Sequence, residues 1–226
     1  HMEQFYYTFD QIKDRRYDGM IITGAPLDYV KCEDVAYWDE ICKIMEWTKT
    51  HVHCTFHLCW GAYAGLYYHY GIEKLDLDRK LFGIYPHKIM KPTSPLFRGF
   101  DDIFMAPHSR ATDVRVSDVE AVPELEVMAV TEEGSLAIAK TKDSRQFFVT
   151  CHAEYDADTL AQEYFRDMKK GLTTVDLPVN YFPDDDPEKT PVVTWRSTGQ
   201  LLYSNWLNFY VYQSTPYDLY SNETKF

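Results

Sequence analysis

Apolar residues fall along this chain in two rhythms. Short blocks that are apolar on both faces recur: "GMIITGAP" (19–26), "HCTFHLCW" (53–60), "LFGIYPHK" (81–88), "DIFMAPHS" (102–109), "LEVMAVTE" (125–132), "GSLAIAKT" (134–141) and "RQFFVTCH" (145–152). A strand buried on both sides reads this way, because both alternating rows of side chains are dry. Between some blocks the spacing changes to three and four. "CEDVAYWDEICKIMEWTKTH" (32–51) sets Val35, Trp38, Ile41, Cys42 and Met45 on one side of a predicted helix. "GAYAGLYYHYG" (61–71) ends at Gly71, a residue suited to a helix C-terminus. "ADTLAQEYFRDMKKG" (157–171) opens with Asp158 as a candidate N-cap and stops at Gly171. "QLLYSNWLNFYVYQ" has Leu201, Trp206, Leu207 and Tyr210 at helical spacing and predicts a last helix packed on the domain. Strands alternating with helices predict an α/β fold: a mostly parallel sheet with helices on both faces. The chain shows neither a repeat nor a low-complexity stretch, and its length suits one large domain or two small ones.

Composition narrows the function classes. Of 226 residues, 45% are hydrophobic and 16% aromatic, which suits a well-filled core rather than disorder. A net charge of −12 with no offsetting basic run argues against nucleic acid as the main ligand. "PDDDPEK" (183–189) reads as a solvated loop. No run approaches the roughly 18 apolar residues of a membrane helix, and the N-terminal stretch lacks a signal-peptide layout. Five cysteines, an odd number, do not suggest a disulfide framework, and a cytoplasmic location follows as the expectation.

The candidate chemistry sits where "TFHLCWGAYAGLYYHYG" (55–71) passes from strand to helix, with Cys59 at the corner. In open α/β sheets, ligands bind where strands end and helices begin. A thiol there projects from a tight turn beside the free N–H groups of a helix N-terminus, which favour a thiolate and an oxyanion. The alternative is that Cys59 is a small buried apolar residue. Cys32, Cys42 and Cys54 lack the corner and read as structural. In "FFVTCHAEYDADTL" a hydrophobic strand ends at His152, and Glu154 follows on the same side if the strand continues. His152 can then serve as the base and Glu154 as its orienter, giving a Cys-His-acid triad; Cys151 beside them reads as a packing residue. "HVHCTFHLC" also offers His51, His53, Cys54, His57 and Cys59 as metal ligands, but on a strand Cys54 faces away from His53, His57 and Cys59, and no C-x-x-C pair accompanies them. No metal is therefore expected.

The stretches "GMIITGAPLD", "CWGAYAGLYYHYGI", "RGFDDIFMAPHSR", "VTCHAEYDADTLAQEYFRD", "NYFPDDDP" and "NWLNFYVYQSTPYD" together resemble the homoserine O-acyltransferases of methionine biosynthesis, over nearly the whole chain. The resemblance implies a single domain over 1–226, a glutamine-amidotransferase-like (flavodoxin-like) fold and a ping-pong acyl transfer. Cys59 would take the acyl group from acyl-CoA, His152 would act as general base oriented by Glu154, and the hydroxyl of L-homoserine would receive the group. It implies acyl-CoA as co-substrate with no resident cofactor and no metal, and leaves a homodimer open. It marks Lys80, Ser109 and Arg166 as substrate-binding; for Arg166 the planar guanidinium suits an amino-acid carboxylate. The backbone N–H of Trp60, with the 25–28 loop, is the expected oxyanion donor.

Family members with succinyl-CoA carry glycine at the position of Asp28, and those with acetyl-CoA carry glutamate. A carboxylate there would repel a succinyl group, so acetyl transfer is expected and succinyl transfer is the alternative. Two departures stand out. Cys151 replaces the usual glycine, and the family's N-terminal segment, with a further strand, is expected to be absent. A glutaminase or amidotransferase on the same triad, and an inactive binding protein, remain the competing readings.

Overall fold

The computed structural model describes residues 5–171 and 176–216; the ends of the expected 1–226 domain and the tail of "QSTPYD" lie outside the described residues. The elements run α1 (Phe9–Ile12), β1 (Tyr17–Ile22), α2 (Trp38–His51), β2 (Val52–Leu58), α3 (Trp60–Tyr70), β3 (Leu75–Ile89), β4 (Ile103–Asp113), α4 (Val116–Glu120), β5 (Leu125–Thr131), β6 (Leu136–Thr141), β7 (Gln146–Val149), α5 (Thr159–Lys169) and α6 (Arg196–Asn205), the last continuing as a π-helix over Trp206–Tyr212.

One seven-stranded sheet has the order β1-β2-β7-β6-β5-β3-β4. The ladders β1–β2 and β2–β7 are parallel and the other four antiparallel. Five strands therefore run one way and β3 and β6 run the other. Antiparallel ladders prevail at the far side because β5, β6 and β7 follow one another through short turns, too short for a crossover. The parallel trio is where the α/β reading applies most directly: α2 connects β1 to β2, and α3 follows β2.

Both faces of the sheet are covered. On one, Cys54, Phe56, Leu58, Phe147 and Val149 meet Leu202, Trp206, Tyr210 and Val211 of the last helices. On the other, Phe148, Ala139 and Val127 meet Ala62, Tyr63 and Leu66 of α3 and Val119 of α4. This explains the continuous apolar blocks of β2 and β7, whose residues from Phe56 to Leu58 and Phe147 to Val149 are all buried. A third cluster joins Phe82 and Ile84 of β3 to Leu160, Tyr181, Phe182 and Trp195. The β3–β4 hairpin thus packs on one side against α5 and residues 177–195. The same hairpin curls back toward β7, and His152 N–H donates to Pro107 O of β4 at 2.8 Å.

The structure departs from the expected elements in particular places. The 32–51 helix is broken: Cys32–Asp34 is a separate 3-10 turn, and α2 starts at Trp38. Val35 nonetheless packs with Trp38 and Ile41 against Trp60 and Ala64, so the apolar spacing reported a shared contact rather than one helix. Leu207 is 51% exposed while Leu202, Trp206, Tyr210 and Val211 are buried, because π-winding turns a different set of residues inward than the α-period does. Asp158 holds the N-cap position of α5, but its side chain caps no N–H; it accepts from Gln162 Nε2 at 2.6 Å. Gly71 ends α3 in the left-handed conformation, φ 68°, as its position suggested. Among the described residues no helix is long and apolar enough to cross a membrane.

Candidate active site

Cys59 occupies the junction of β2 and α3 with φ 53° and ψ −119°, a conformation rarely adopted by a residue with a side chain. Bonds on both sides hold the strain: Cys59 N–H donates to Val149 O (2.7 Å), and Cys59 O accepts from Ala62 N–H (2.9 Å). Two glycines make the turn sterically feasible. A Cβ on Gly24 would fall 2.8 Å from Cys59 Cβ and 3.2 Å from its Sγ, and one on Gly61 would fall 2.5 Å from Ile22 O. A strained strand-to-helix turn with glycines packed behind it is the geometry of a nucleophile elbow. Trp60 N–H lies in the first turn of α3, where no helical carbonyl precedes it, and a Cβ on Gly24 would fall 3.4 Å from Trp60 N.

The neighbouring parallel strand brings the base. β2 and β7 pair in register from Thr55–Gln146 to Leu58–Val149, so the residues just past their C-terminal ends emerge side by side at the carboxyl end of the parallel strands. His152 is 8% exposed, and its imidazole lies close enough to the Cys59 thiol for the two to influence each other's charge. Its Nδ1 bonds Glu154 Oε1 at 2.6 Å, and Glu154 Oε2 accepts from Tyr203 O–H at 3.3 Å. Burial alone would lower the imidazole pKa; the hydrogen bonds and charges of Cys59 and Glu154 outweigh it and push it up to about 10. Burial pushes the thiols of Cys32 up to about 11 and of Cys54 and Cys151 up to about 12, and raises that of Cys42. Cys151 has no positive φ, so a residue with a side chain fits there without strain.

Two of the three positions expected to hold substrate, Lys80 and Ser109, form a second group near His152. Ser109 O–H donates to Glu163 Oε2, and Lys80 Nζ lies 3.8 Å from the same oxygen. Tyr155 O–H donates to Glu163 Oε1 at 2.9 Å, while its ring stacks on His152 with centroids 4.2 Å apart. Lys80, Ser109 and the imidazole therefore converge through Glu163 and Tyr155. Neither of those two was singled out from the sequence; the available signal was Glu163 one helical turn before Arg166 in "EYFRD". Arg166 is half exposed and its Nε donates to Asp167 Oδ1 at 2.9 Å.

Asp28 lies in the loop after β1. Its Oδ1 accepts from Thr112 O–H at 3.4 Å, and Lys74 Nζ clamps the loop by donating to the carbonyls of Leu27 (2.9 Å) and Asp28. The imidazoles and thiols weighed as metal ligands disperse. His53 Nε2 bonds Ser214 Oγ at 2.8 Å, Cys54 Sγ accepts from Trp206 Nε1–H at 3.2 Å, and His57 is buried flat on Phe148. Among the described residues no group of three or more His, Cys, Asp or Glu could hold a metal ion.

Comparison with known proteins supplies the remaining context. The model of a family described as homoserine O-succinyltransferase matches residues 1–217. A homoserine O-acetyltransferase from Acetivibrio thermocellus is 56% identical over 225 residues, covering 100% of this chain and 73% of that protein. Another homoserine O-acetyltransferase, from Agathobacter rectalis, is 54% identical over 98% of this chain and 71% of its own length. Among solved structures, a glutamine amidotransferase from Thermotoga maritima superimposes with TM-score 0.58 at 13% identity, over 83% of this chain and 76% of that one. One from Methylobacillus flagellatus gives 0.59 at 14%, over 84% and 76%. At such identities the likeness is one of fold, and it bears out the glutamine-amidotransferase-like architecture.

Proposed function

The chain belongs to the homoserine O-succinyltransferase family, and from that premise we propose that it is a homoserine O-acetyltransferase working through Cys59, His152 and Glu154. The observation that carries the site assignment is the strained Cys59 elbow beside an imidazole that Glu154 holds from behind.

In the first half-reaction the Cys59 thiolate attacks the thioester carbonyl of acetyl-CoA. The oxyanion forms beside Trp60 N–H. The tetrahedral species collapses by breaking the bond to the CoA sulfur, which leaves with the proton of the His152 imidazolium. In the second, neutral His152 takes the proton of the homoserine hydroxyl as that oxygen attacks the acetyl-enzyme. Collapse releases O-acetylhomoserine and the thiolate, with the imidazolium restored. Glu154 stabilises that imidazolium and fixes its tautomer. Acyl-CoA enters as co-substrate, and no step calls for a resident cofactor or metal. Lys80, Ser109 and Arg166 flank the homoserine side of the site, Arg166 offering its guanidinium to the substrate carboxylate.

The family is named for succinyl transfer and the relatives for acetyl transfer. We assign the choice to Asp28, whose carboxylate beside the acyl pocket disfavours a second one on the donor. Five unpaired thiols fit a reducing compartment such as the cytoplasm.

Intact-mass measurement tests the reading. The protein mixed with acetyl-CoA should gain one acetyl group, lose it on adding L-homoserine, and gain none as Cys59→Ser. Glutamine hydrolysis without any acetyl adduct would replace the reading with the amidotransferase one, and a folded chain showing neither reaction would leave it a binding protein.

A further inference from the structure

We infer that the outer groove of α5 holds the nucleotide end of the acyl donor, with the Phe165 ring against the adenine and Lys169 and Lys170 on the phosphates, an inference that rests on the acyl-transfer reading. The donor poses an electrostatic problem. The chain carries a net charge of −12, and an acyl-CoA brings three phosphate groups to it. Such a ligand needs a place where the local charge is reversed. Other hollows on the surface mix their charges. Lys31 and Lys74 share one with Asp28, Glu33, Glu73 and Asp76. Three more each set a lysine or arginine beside at least one aspartate or glutamate. The groove lined by Ala161, Gln162, Phe165, Arg166, Lys169 and Lys170 has three cations and no acid.

Helical spacing builds this groove. Gln162, Phe165, Arg166 and Lys169 recur at three and four residues and so share one side of α5. Leu160 and Tyr164 of the same helix pack inward with Phe82, Phe182 and Trp195. The neighbouring acids are already engaged: Asp167 Oδ1 accepts from Arg166 Nε at 2.9 Å, and Asp158 Oδ2 accepts from Gln162 Nε2 at 2.6 Å. Lys169 and Lys170 are exposed and make no ion pair among the described residues. Cations near a helix C-terminus are expected from the macrodipole alone. The dipole does not account for Phe165, 43% exposed in their midst, its ring set edge-on to Tyr164 with centroids 5.2 Å apart. An aromatic face flanked by lysines suits a purine that carries phosphates. The groove also runs in the right direction. α5 starts at Thr159, soon after His152, and Glu163 ties it to the base through Tyr155. From Ala161 to Lys170 the groove extends about 13 Å along the helix axis, away from that end. The flexible pantetheine arm spans the interval, with the thioester at Cys59 and the nucleotide on the outer turns of α5.

The test compares two donors, acetyl-CoA and S-acetylpantetheine, which carries the same thioester and arm without the nucleotide. The full chain is set against a Lys169→Glu/Lys170→Glu double variant and against Phe165→Ala, with thermal melts to establish that each folds. With acetyl-CoA, kcat/KM should fall about 10- to 100-fold in the double variant, through KM, as two phosphate contacts are lost and two repulsions gained. Phe165→Ala should cost about 10-fold, the equivalent of one stacked base. With S-acetylpantetheine neither variant should move by more than about 2-fold. Added salt should raise the wild-type KM for acetyl-CoA and leave that for S-acetylpantetheine in place. An unchanged KM for acetyl-CoA in either variant overturns the inference. So does an equal loss with both donors, because the three residues would then act on the fold or on the acceptor. If wild type forms no acetyl adduct from either donor, the acyl-transfer reading fails instead, and calorimetric titration with adenosine 3′,5′-bisphosphate decides the groove. Binding that the double variant abolishes upholds the site; no binding, or equal binding by both chains, overturns it.

Discussion

Replacing Glu154 by glutamine isolates the charge of the triad's third member. The side chain keeps its length, and its amide can keep both bonds: the oxygen accepting from His152 Nδ1–H, the NH2 donating to Tyr203 Oη where Oε2 now accepts. The tautomer is thereby preserved, and only the charge assistance of a 2.6 Å bond is lost. A bond to a charged group contributes about 1.5–3 kcal/mol and a neutral one about 0.5–1.5. The difference is about 1–1.5 kcal/mol, with the lower end favoured because Glu154 is about one-third exposed and partly screened. One pKa unit corresponds to about 1.4 kcal/mol, so the His152 pKa should fall by nearly one unit from its raised value of about 10. The imidazolium that forms in each turnover loses the same support, so kcat should drop about 5- to 10-fold. The stability sign follows. A raised imidazole pKa stabilises the folded chain fully below the ordinary histidine value near 6.5, and the contribution disappears as pH rises through about 10. Denaturant titrations should therefore find Glu154→Gln about 1 kcal/mol less stable than wild type at pH 6, and the gap should close by about pH 10. The imidazole titration itself is read from the His152 Cε1–H resonance. An unmoved His152 titration, or a stability gap that stays constant with pH, would refute the assignment of Glu154 as the electrostatic partner.

The remaining expectations concern the elbow, the acyl pocket and the core. Gly24→Ala puts a methyl group 2.8 Å from Cys59 Cβ and 3.2 Å from its Sγ; acetyl-enzyme formation at saturating acetyl-CoA should slow at least about tenfold, with about 1–3 kcal/mol lost in urea titration, and an unaltered acylation rate would contradict the close approach. Asp28→Gly removes a like charge worth about 1–4 kcal/mol against a succinyl carboxylate at contact distance, depending on solvation; kcat/KM for succinyl-CoA relative to acetyl-CoA should rise about tenfold or more, and no rise would sink the electrostatic account of donor choice. Phe56→Ala empties a site fully buried among Phe147, Tyr203 and Trp206; about 3–5 kcal/mol of stability should be lost, and a change under 1 kcal/mol in denaturant unfolding would show that the packing between sheet and last helix is not tight.

The difference between what the sequence reveals and what it hides follows the range of the interactions. β2 and β7 are legible because a strand dry on both faces must be apolar at every position, whatever lies beyond it. Cys59 is legible for a related reason: the change from strand rhythm to helix rhythm, followed by Gly61, Ala62, Ala64 and Gly65, marks a turn that needs close packing behind it, and Ile22 O sits where a Gly61 side chain would be. His152 is legible only in combination, as a second strand end; its meeting with Cys59 depends on β2 and β7 being neighbours, which no local pattern states. The break before Trp38 and the π-winding after Asn205 were hidden because burial spacing records which residues share a contact and not which helix supplies them. Glu163 was hidden for the strongest reason. On α5 it is one more charged residue among exposed neighbours, and its distinction comes from Ser109, Tyr155 and Lys80, which arrive from three other segments. That convergence requires the β3–β4 hairpin to curl until Pro107 accepts the His152 N–H. A cluster of this kind is defined by the curvature of a sheet and not by the sequence neighbourhood of any one member, so it emerges only from the assembled fold, while the corner that carries Cys59 can be read from the chain.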